Sequence, residues 1–254
     1  MQDTVPNMGR FLMRQVFLLI ADQNYHRLAI AAIRSIFKHT EASVILITDI
    51  DLDPRFFGNE ERLQAVINNS MSPADTLHDS SWTKNVALKV STLIELLSED
   101  FQVVLLDADC LVLKNPFQMD LDAYDFWACR RDRPFLRDDM RLDYIGSIFI
   151  GNGKRALDFA KYWRVSIIER SSFTVPPFET PALCASLSSW AGERWGILDE
   201  GTYSRQKQFN SSTRIVHLKS NHTENSADVL NARLSHLSAA DLQYIQPYFE
   251  DLVS

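Results

Sequence analysis

The 254-residue sequence is short of cysteine, glycine and proline, and each shortage excludes a class of protein. Its three cysteines, Cys110, Cys129 and Cys184, form neither a Cys-x-x-Cys pair nor the spacing of a zinc site. We therefore expect reduced thiols and a cytoplasmic location. With only 8 glycines and 9 prolines, the chain is neither collagen-like nor dominated by linkers.

Long apolar runs and an excess of positive charge are also missing. No stretch approaches the roughly 18 apolar residues of a membrane span, and the run at 16–21 is too short for a secretory leader, so we expect no transmembrane segment. Lys plus Arg number 26 against 33 Asp plus Glu, a net charge of −7, whereas nucleic-acid binding usually leaves a basic balance. The 46% of hydrophobic residues is ordinary for a folded protein and excludes a disordered chain.

The order of apolar segments predicts an α/β fold. Val16–Ala21 and Val44–Thr48 are apolar runs of strand length, and the segment Arg27–His39 between them has the apolar spacing of a helix. Further strands are predicted at Phe101–Leu106, Asp125–Cys129, Tyr144–Ile150 and Arg214–Leu218, and helices at Lys84–Ser98, Lys154–Glu169, Pro181–Trp190 and Ala239–Phe249, the last with Ser238 as N-cap. Together they indicate a mixed, mostly parallel sheet flanked by helices, whereas residues 53–80 give no clear pattern.

Two acidic residues follow the most apolar of these strands. Asp107 and Asp109 come directly after Val103–Leu106, at the carboxyl end of a strand, where open α/β sheets bind their ligands. A divalent cation would relieve the repulsion between the two carboxylates, and Mg²⁺ or Mn²⁺ prefers carboxylate and phosphate oxygens. An Asp-x-Asp pair alone also fits a polar strand end.

The flanks of this pair carry a resemblance to a known family. Leu106–Pro116 resembles the Asp-x-Asp region of GT-A-type glycosyltransferases, above all the nucleotide-diphospho-sugar transferases related to glycosyltransferase family 8. Other segments resemble that family in the same order: 20–25 with 30–36, 144–150, 179–183 and 215–219. The resemblance covers about 15–220 and implies one GT-A-like, Rossmann-like domain over 1–254, with a C-terminal helical extension at about 227–254.

The sequence departs from the family pattern at three places. The Gly and Lys-Pro-Trp pattern expected after His217 is missing. Ile145-Gly146-Ser147 stands where the family has Asn-Ser-Gly, and Glu179-Thr180 where it has Asp-Gln. These differences bear on the subfamily and on the roles of Glu179 and Lys219.

The resemblance implies a metal-dependent transferase that moves a sugar from a nucleotide diphosphate sugar, preferably UDP-linked and with retention. The acceptor would be a glycan, a lipid-linked molecule or a small molecule, with no nucleic acid among the partners. The implied cofactor is Mn²⁺ or Mg²⁺, with ligands Asp107, Asp109 and His217. The implied catalytic residues are Asp107, Asp109, Glu179 and Lys89. The implied donor-binding residues are Ala21, Asp22, Tyr25, Lys89, Asp107, Ala108, Gly146, Ser147 and Lys219.

Three of these residues also have a purely structural interpretation. Lys89 falls at the margin of the apolar face of its helix, so it either extends to water or reaches a site at the sheet edge. His217 on a strand fits a satisfied core histidine. Glu179 fits an acidic residue that the helix dipole favours at a helix start.

Two alternative functions remain open from the sequence. A phosphohydrolase of the haloacid-dehalogenase type also places Asp-x-Asp after an apolar strand, but it requires Thr or Val where this chain has Leu111. A non-catalytic protein that binds a nucleotide sugar is the other. A sugar-nucleotide pyrophosphorylase is disfavoured, because no Gly-rich basic loop lies near the start of the chain.

Overall fold

The computed structural model describes residues 14–53, 56–57, 60–67, 80–137, 140–171, 179–192, 194–219 and 229–252. Within these ranges the strands are β1 Gln15–Ala21, β2 Ser43–Thr48, β3 Leu63–Ile67, β4 Gln102–Asp107, β5 Cys110–Val112, β6 Phe126–Arg137, β7 Met140–Asn152, β8 Trp195–Asp199 and β9 Ile215–His217. The helices are α1 His26–His39, α2 Ser80–Ser98, α3 Leu157–Ser171, α4 Glu179–Ser189, α5 Glu200–Tyr203, α6 Val229–Leu234 and α7 Ala239–Ile245. Short 3-10 helices cover Glu60–Arg62, Leu121–Ala123, Gly153–Ala156 and Gln246–Tyr248.

A seven-stranded mixed sheet organises the chain, with strand order β3-β2-β1-β4-β7-β6-β8. Strands β3, β2, β1 and β4 run parallel, β7 is antiparallel to both β4 and β6, and β8 is parallel to β6. A separate two-stranded sheet pairs β5 with β9. The predicted α/β class and mixed sheet are confirmed.

The two most apolar strands lie at the centre of the sheet. The continuous apolar runs of β1 and β4 are buried on both faces, as expected for parallel strands covered by helices. One face packs against α1 and the C-terminal segment, and the other against α2, α3 and α4. Because the two strands are parallel neighbours, both end at the same edge of the sheet, where the acidic pair follows β4.

Several elements differ from their predicted bounds. The strands predicted at Asp125–Cys129 and Tyr144–Ile150 are longer than predicted. They form β6, which continues to Arg137, and β7, which begins at Met140. Strands β3, β5 and β8 and helices α5 and α6 were not predicted. The helix predicted to end at Phe249 ends at Ile245, where a 3-10 turn containing proline follows, and Ser238 is its N-cap as predicted.

The C-terminal segment 229–252 packs on the rest of the chain. Its buried residues Leu230, Ile245 and Tyr248 belong to the same apolar core as α1. Residues 227–228 and 253–254 of the predicted extension lie outside the described residues. Among the helices that the structure describes, none has both the length and the apolarity needed to cross a bilayer.

Candidate metal and donor site

The site forms where β1 and β4 end side by side. Ile20 of β1 is in register with Asp107, the last residue of β4. The chain then turns at Ala108 and Asp109 and enters β5. Asp107 and Asp109 thus leave the sheet at its carboxyl edge, beside the loop that carries Asp22 and Tyr25.

Strand β9 brings His217 to Asp109. In the β5–β9 pair His217 lies opposite Cys110, and the N–H of Leu218 donates to the carbonyl of Asp109 over 2.8 Å. His217 Nε2 consequently lies 3.3 Å from Asp109 Oδ1, and both side chains are buried. The other ring nitrogen, Nδ1, lies 3.2 Å from Oγ of the buried Ser204. The register of a small sheet therefore joins residues that are far apart in the sequence.

Asp109, Cys110 and His217 form a buried group that could hold a metal ion, since their ligand atoms lie within 4.8 Å of one another. Burial alone would raise the pKa of Asp109, but His217, Arg233 and Lys219 lower it to about 2, so the carboxylate is charged. Burial raises the pKa of the Cys110 thiol well above its ordinary value, which keeps that thiol protonated.

Asp107 lies outside this group, in an ion-pair cluster with Lys89 and Glu179. Lys89 of α2 is only 1% exposed, and its Nζ lies 2.6 Å from Asp107 Oδ1 and 3.0 Å from Glu179 Oε1. The interpretation in which Lys89 extends to water is wrong, because the two carboxylates hold its ammonium group inside the protein. Burial opposes the charge of Lys89, but Asp107 and Glu179 raise its pKa.

The two carboxylates of this cluster are not equivalent. Asp107 is 35% exposed at the edge of the sheet, and although burial opposes its charge, Lys89 lowers its pKa. Glu179, at the start of α4, is 8% exposed, and burial raises its pKa to about 7 despite the opposing charge of Lys89. One buried lysine therefore pairs with two carboxylates, and the charged form of Glu179 is less stabilised than that of Asp107.

Gly146 allows α4 to approach β7 at this point. A Cβ atom at Gly146 would lie 2.8 Å from Cγ of Glu179, and the Gly146 N–H donates to Oγ1 of Thr180 over 3.0 Å. The sequence predicts that this glycine lets the backbone approach a donor sugar, and the structure shows that it leaves room for the side chain of Glu179. Its neighbour Ser147 is buried on the same strand.

The remaining predicted residues lie around the same edge of the sheet. Ala21 closes β1, and Asp22 Oδ1 accepts from the N–H of Asn24 over 3.0 Å, which shapes the turn before Tyr25. Ala108 is buried between the two acids. Lys219 is exposed and lies close enough to Asp109 to interact with its charge.

Sequence reasoning missed Arg233. This arginine on α6 lies 3.6 Å from Asp109 Oδ2, and its Nη2 donates to the Tyr25 hydroxyl over 3.2 Å. The structure thus assembles Tyr25, Asp109, His217 and Arg233 on one side and Asp107, Lys89 and Glu179 on the other. Nothing in the sequence around Arg233 signals the contact.

Comparison with known proteins identifies the fold. No protein-family model matches the chain, and no curated protein sequence matches it. Among solved structures, an active-site mutant of LgtC aligns with a TM-score of 0.59 at 13% identity, covering 94% of this chain and 96% of that one. The galactosyltransferase LgtC in complex with donor and acceptor sugar analogs aligns with a TM-score of 0.52 at 14% identity, covering 74% of each chain.

Two longer glycosyltransferases align with this chain over only part of their length. The bifunctional glycosyltransferase WbbM aligns with a TM-score of 0.53 at 12% identity, covering 76% of this chain and 40% of WbbM. The chain also spans less than half, 46%, of the length of GlyE from Streptococcus pneumoniae TIGR4, at 15% identity, a TM-score of 0.49 and 74% of this chain covered. LgtC and WbbM are GT-A-type glycosyltransferases, and their likeness to this chain confirms the predicted GT-A fold.

Proposed function

We propose that the protein is a metal-dependent glycosyltransferase that uses a nucleotide diphosphate sugar. The observation that carries the proposal is the pair Asp109–His217 next to the Asp107–Lys89–Glu179 cluster, at the carboxyl edge of a GT-A sheet. The fold neighbours support sugar transfer in general. The GT-A likeness leaves the haloacid-dehalogenase alternative without support.

The donor set fits a hard divalent ion such as Mn²⁺ or Mg²⁺. Asp109 offers a charged carboxylate and His217 a ring nitrogen, whereas the soft sulfur of Cys110 suits such hard ions poorly. Asp107, whose carboxylate is partly exposed, is the third proposed ligand. When bound, the ion supplies positive charge that stabilises the leaving diphosphate.

The protein's own residues would place the donor around this centre. Asp22 and Tyr25 lie where the nucleoside would bind, and Lys219 adds positive charge on the diphosphate side. Gly146 and Ser147 border the sugar. Glu179, with a pKa near neutrality, faces the sugar end through its contact with Lys89 and would hold a sugar or acceptor hydroxyl.

The finer assignments follow the same comparison. LgtC has been crystallised with donor and acceptor sugar analogs, which favours a sugar acceptor here. We propose a UDP-linked donor, retention of configuration, a glycan, lipid-linked or small-molecule acceptor, and action in the cytoplasm, since the chain's cysteines are unpaired.

Release of UDP tests the proposal. The protein is incubated with UDP-glucose, UDP-galactose or UDP-N-acetylglucosamine, with and without Mn²⁺, and UDP is measured together with the anomer of the freed sugar by proton NMR. We expect Mn²⁺-dependent release from one donor, with the α-anomer as first product. Binding without release would favour the non-catalytic alternative, and hydrolysis of simple phosphate esters would favour a phosphohydrolase.

Ser204 is expected to matter for metal affinity because its hydroxyl orients the ring of His217 through Nδ1. Partners of a metal-bound histidine typically contribute about 10- to 100-fold in metal affinity. Ser204→Ala should therefore weaken Mn²⁺ binding about 10-fold or more, as measured by calorimetry or by the Mn²⁺ EPR signal. Ser98→Ala, at an exposed position on α2, is the control, and equal affinity in both variants would contradict the role.

A further inference from the structure

Arg233 joins the two ends of the candidate donor site. Its guanidinium lies 3.6 Å from Asp109 Oδ2 at the metal end and hydrogen-bonds the Tyr25 hydroxyl over 3.2 Å at the nucleoside end. The side chain is only 10% exposed, and its Cζ lies 6.0 Å from the centre of the Tyr25 ring. A nucleoside diphosphate bound across the site would therefore contact the Arg233 guanidinium.

The C-terminal segment that carries Arg233 is fixed to the domain at several points. Arg34 of α1 donates to the carbonyls of Tyr248 over 3.4 Å and Glu250 over 2.7 Å. Asp241 accepts from the N–H groups of Gln208 and Phe209, over 3.1 and 3.0 Å, in the loop before β9. With Leu230 buried in the core, the placement of Arg233 is part of the fold.

The charges around Arg233 set up a competition for Asp109. A buried arginine requires a nearby anion, and Asp109 is a carboxylate within ion-pair distance of Arg233. A divalent ion on the same carboxylate would place like charges a few ångströms apart, which disfavours both at once. The planar guanidinium, with five N–H donors, matches phosphate oxygens well and can transfer to them.

We propose that Arg233 is a donor-binding residue: it competes with the divalent ion for Asp109 and pairs with the donor's diphosphate when that ion is bound. The C-terminal segment thereby takes part in nucleotide binding. The proposal rests on the proposed function. It predicts that Arg233 weakens the binding of the divalent ion alone and strengthens the binding of the nucleotide.

The test measures Mn²⁺ alone and UDP separately, by calorimetry, on the wild type, Arg233→Met and Arg233→Lys. In Arg233→Met, affinity for Mn²⁺ alone should rise about threefold or more, because a competing cation is gone. In saturating Mn²⁺, affinity for UDP should fall about 10-fold or more, the usual contribution of a charge-assisted hydrogen bond. Arg233→Lys should give affinities between those of the wild type and Arg233→Met, since lysine keeps the positive charge but lacks the planar guanidinium and its paired N–H donors. Arg194→Met, which removes an equal charge from an exposed position beside Asp125, should change neither affinity.

The outcomes separate this inference from the proposed function. Loss of affinity for both Mn²⁺ and UDP in the Arg233 variants would indicate a purely structural role and overturn the inference, as would no change in either. A wild type that binds no UDP in the presence of Mn²⁺ would overturn the proposed function, and that result needs no variant. If Arg233→Met does not fold, as judged by circular dichroism, the same two measurements on Arg233→Lys decide the matter.

Discussion

Glu179→Gln is expected to make the protein more stable at pH 8, by roughly 3–4 kcal/mol. Burial raises the pKa of Glu179 from 4.5 to about 7, and each unit of difference corresponds to about 1.4 kcal/mol. Because this pKa is raised in the folded state, the folded protein binds the proton more tightly than the unfolded chain between about pH 4.5 and 7. The free energy of unfolding therefore falls as the pH rises through that window, and glutamine, which is neutral, removes this loss.

Urea unfolding of the wild type and Glu179→Gln between pH 4.5 and 8 measures the effect. The difference between the two curves isolates Glu179 from the other titrating groups and should grow up to about pH 7 and then level off. Glu41→Gln, at a side chain that is 97% exposed, should follow the wild type. The same Glu179 variant should release UDP from the donor more slowly, since a carboxylate retained at a cost in stability is typical of a functional residue. A difference that stays constant with pH would contradict the account.

Lys89→Met is expected to have the opposite effect, a loss of about 3–5 kcal/mol at pH 8. Lys89 is the cation that contacts both Asp107 and Glu179, at 2.6 and 3.0 Å, and without it two neighbouring carboxylates repel each other in a largely buried place. The loss should be smaller at pH 5, where Glu179 is protonated. Thermal and urea unfolding at both pH values measure it.

The double variant Lys89→Met/Glu179→Gln separates charge from packing. If the loss comes from unpaired carboxylates, the glutamine should restore a large part of the stability of Lys89→Met, so the two changes are not additive. Lys154→Met, at an exposed position, should be close to neutral. A double variant that is no more stable than Lys89→Met would show that lost packing, and not charge, explains the effect.

The parts of the fold that sequence predicts are those with strong local patterns. The buried runs of β1 and β4 and the amphipathic α1 are of this kind, and they place the acidic pair at the sheet edge. The edge strand β3 is only five residues long and most of its residues are exposed, so its short apolar run gives little signal. In β8 the alternation is interrupted by Gly196, where a Cβ atom would lie 2.5 Å from the Trp127 ring, a constraint that only the folded structure shows.

The candidate site likewise contains residues that the sequence predicts and residues that it does not. Asp107 and Asp109 are close in sequence and follow a strand, and the resemblance supplied His217 and Glu179, which the structure brings to Asp109 and Lys89 respectively. Arg233 reaches Asp109 through the docking of α6, and no local motif encodes that tertiary contact. Ser204 likewise contacts His217 because the neighbouring Arg205 forms a parallel bridge with Val216 of β9.

Calorimetric titration with UDP and GDP, with and without Mn²⁺, tests the central claim most directly, on the wild type and on Asp109→Asn. The account predicts that UDP binds when Mn²⁺ is present and that Asp109→Asn weakens this binding at least about 100-fold, because a carboxylate ligand becomes a neutral amide. Asp158→Asn, an exposed change on α3, should bind like the wild type. A folded wild type that binds neither nucleotide in the presence of Mn²⁺, or an Asp109→Asn variant that binds UDP as well as the wild type, would contradict it.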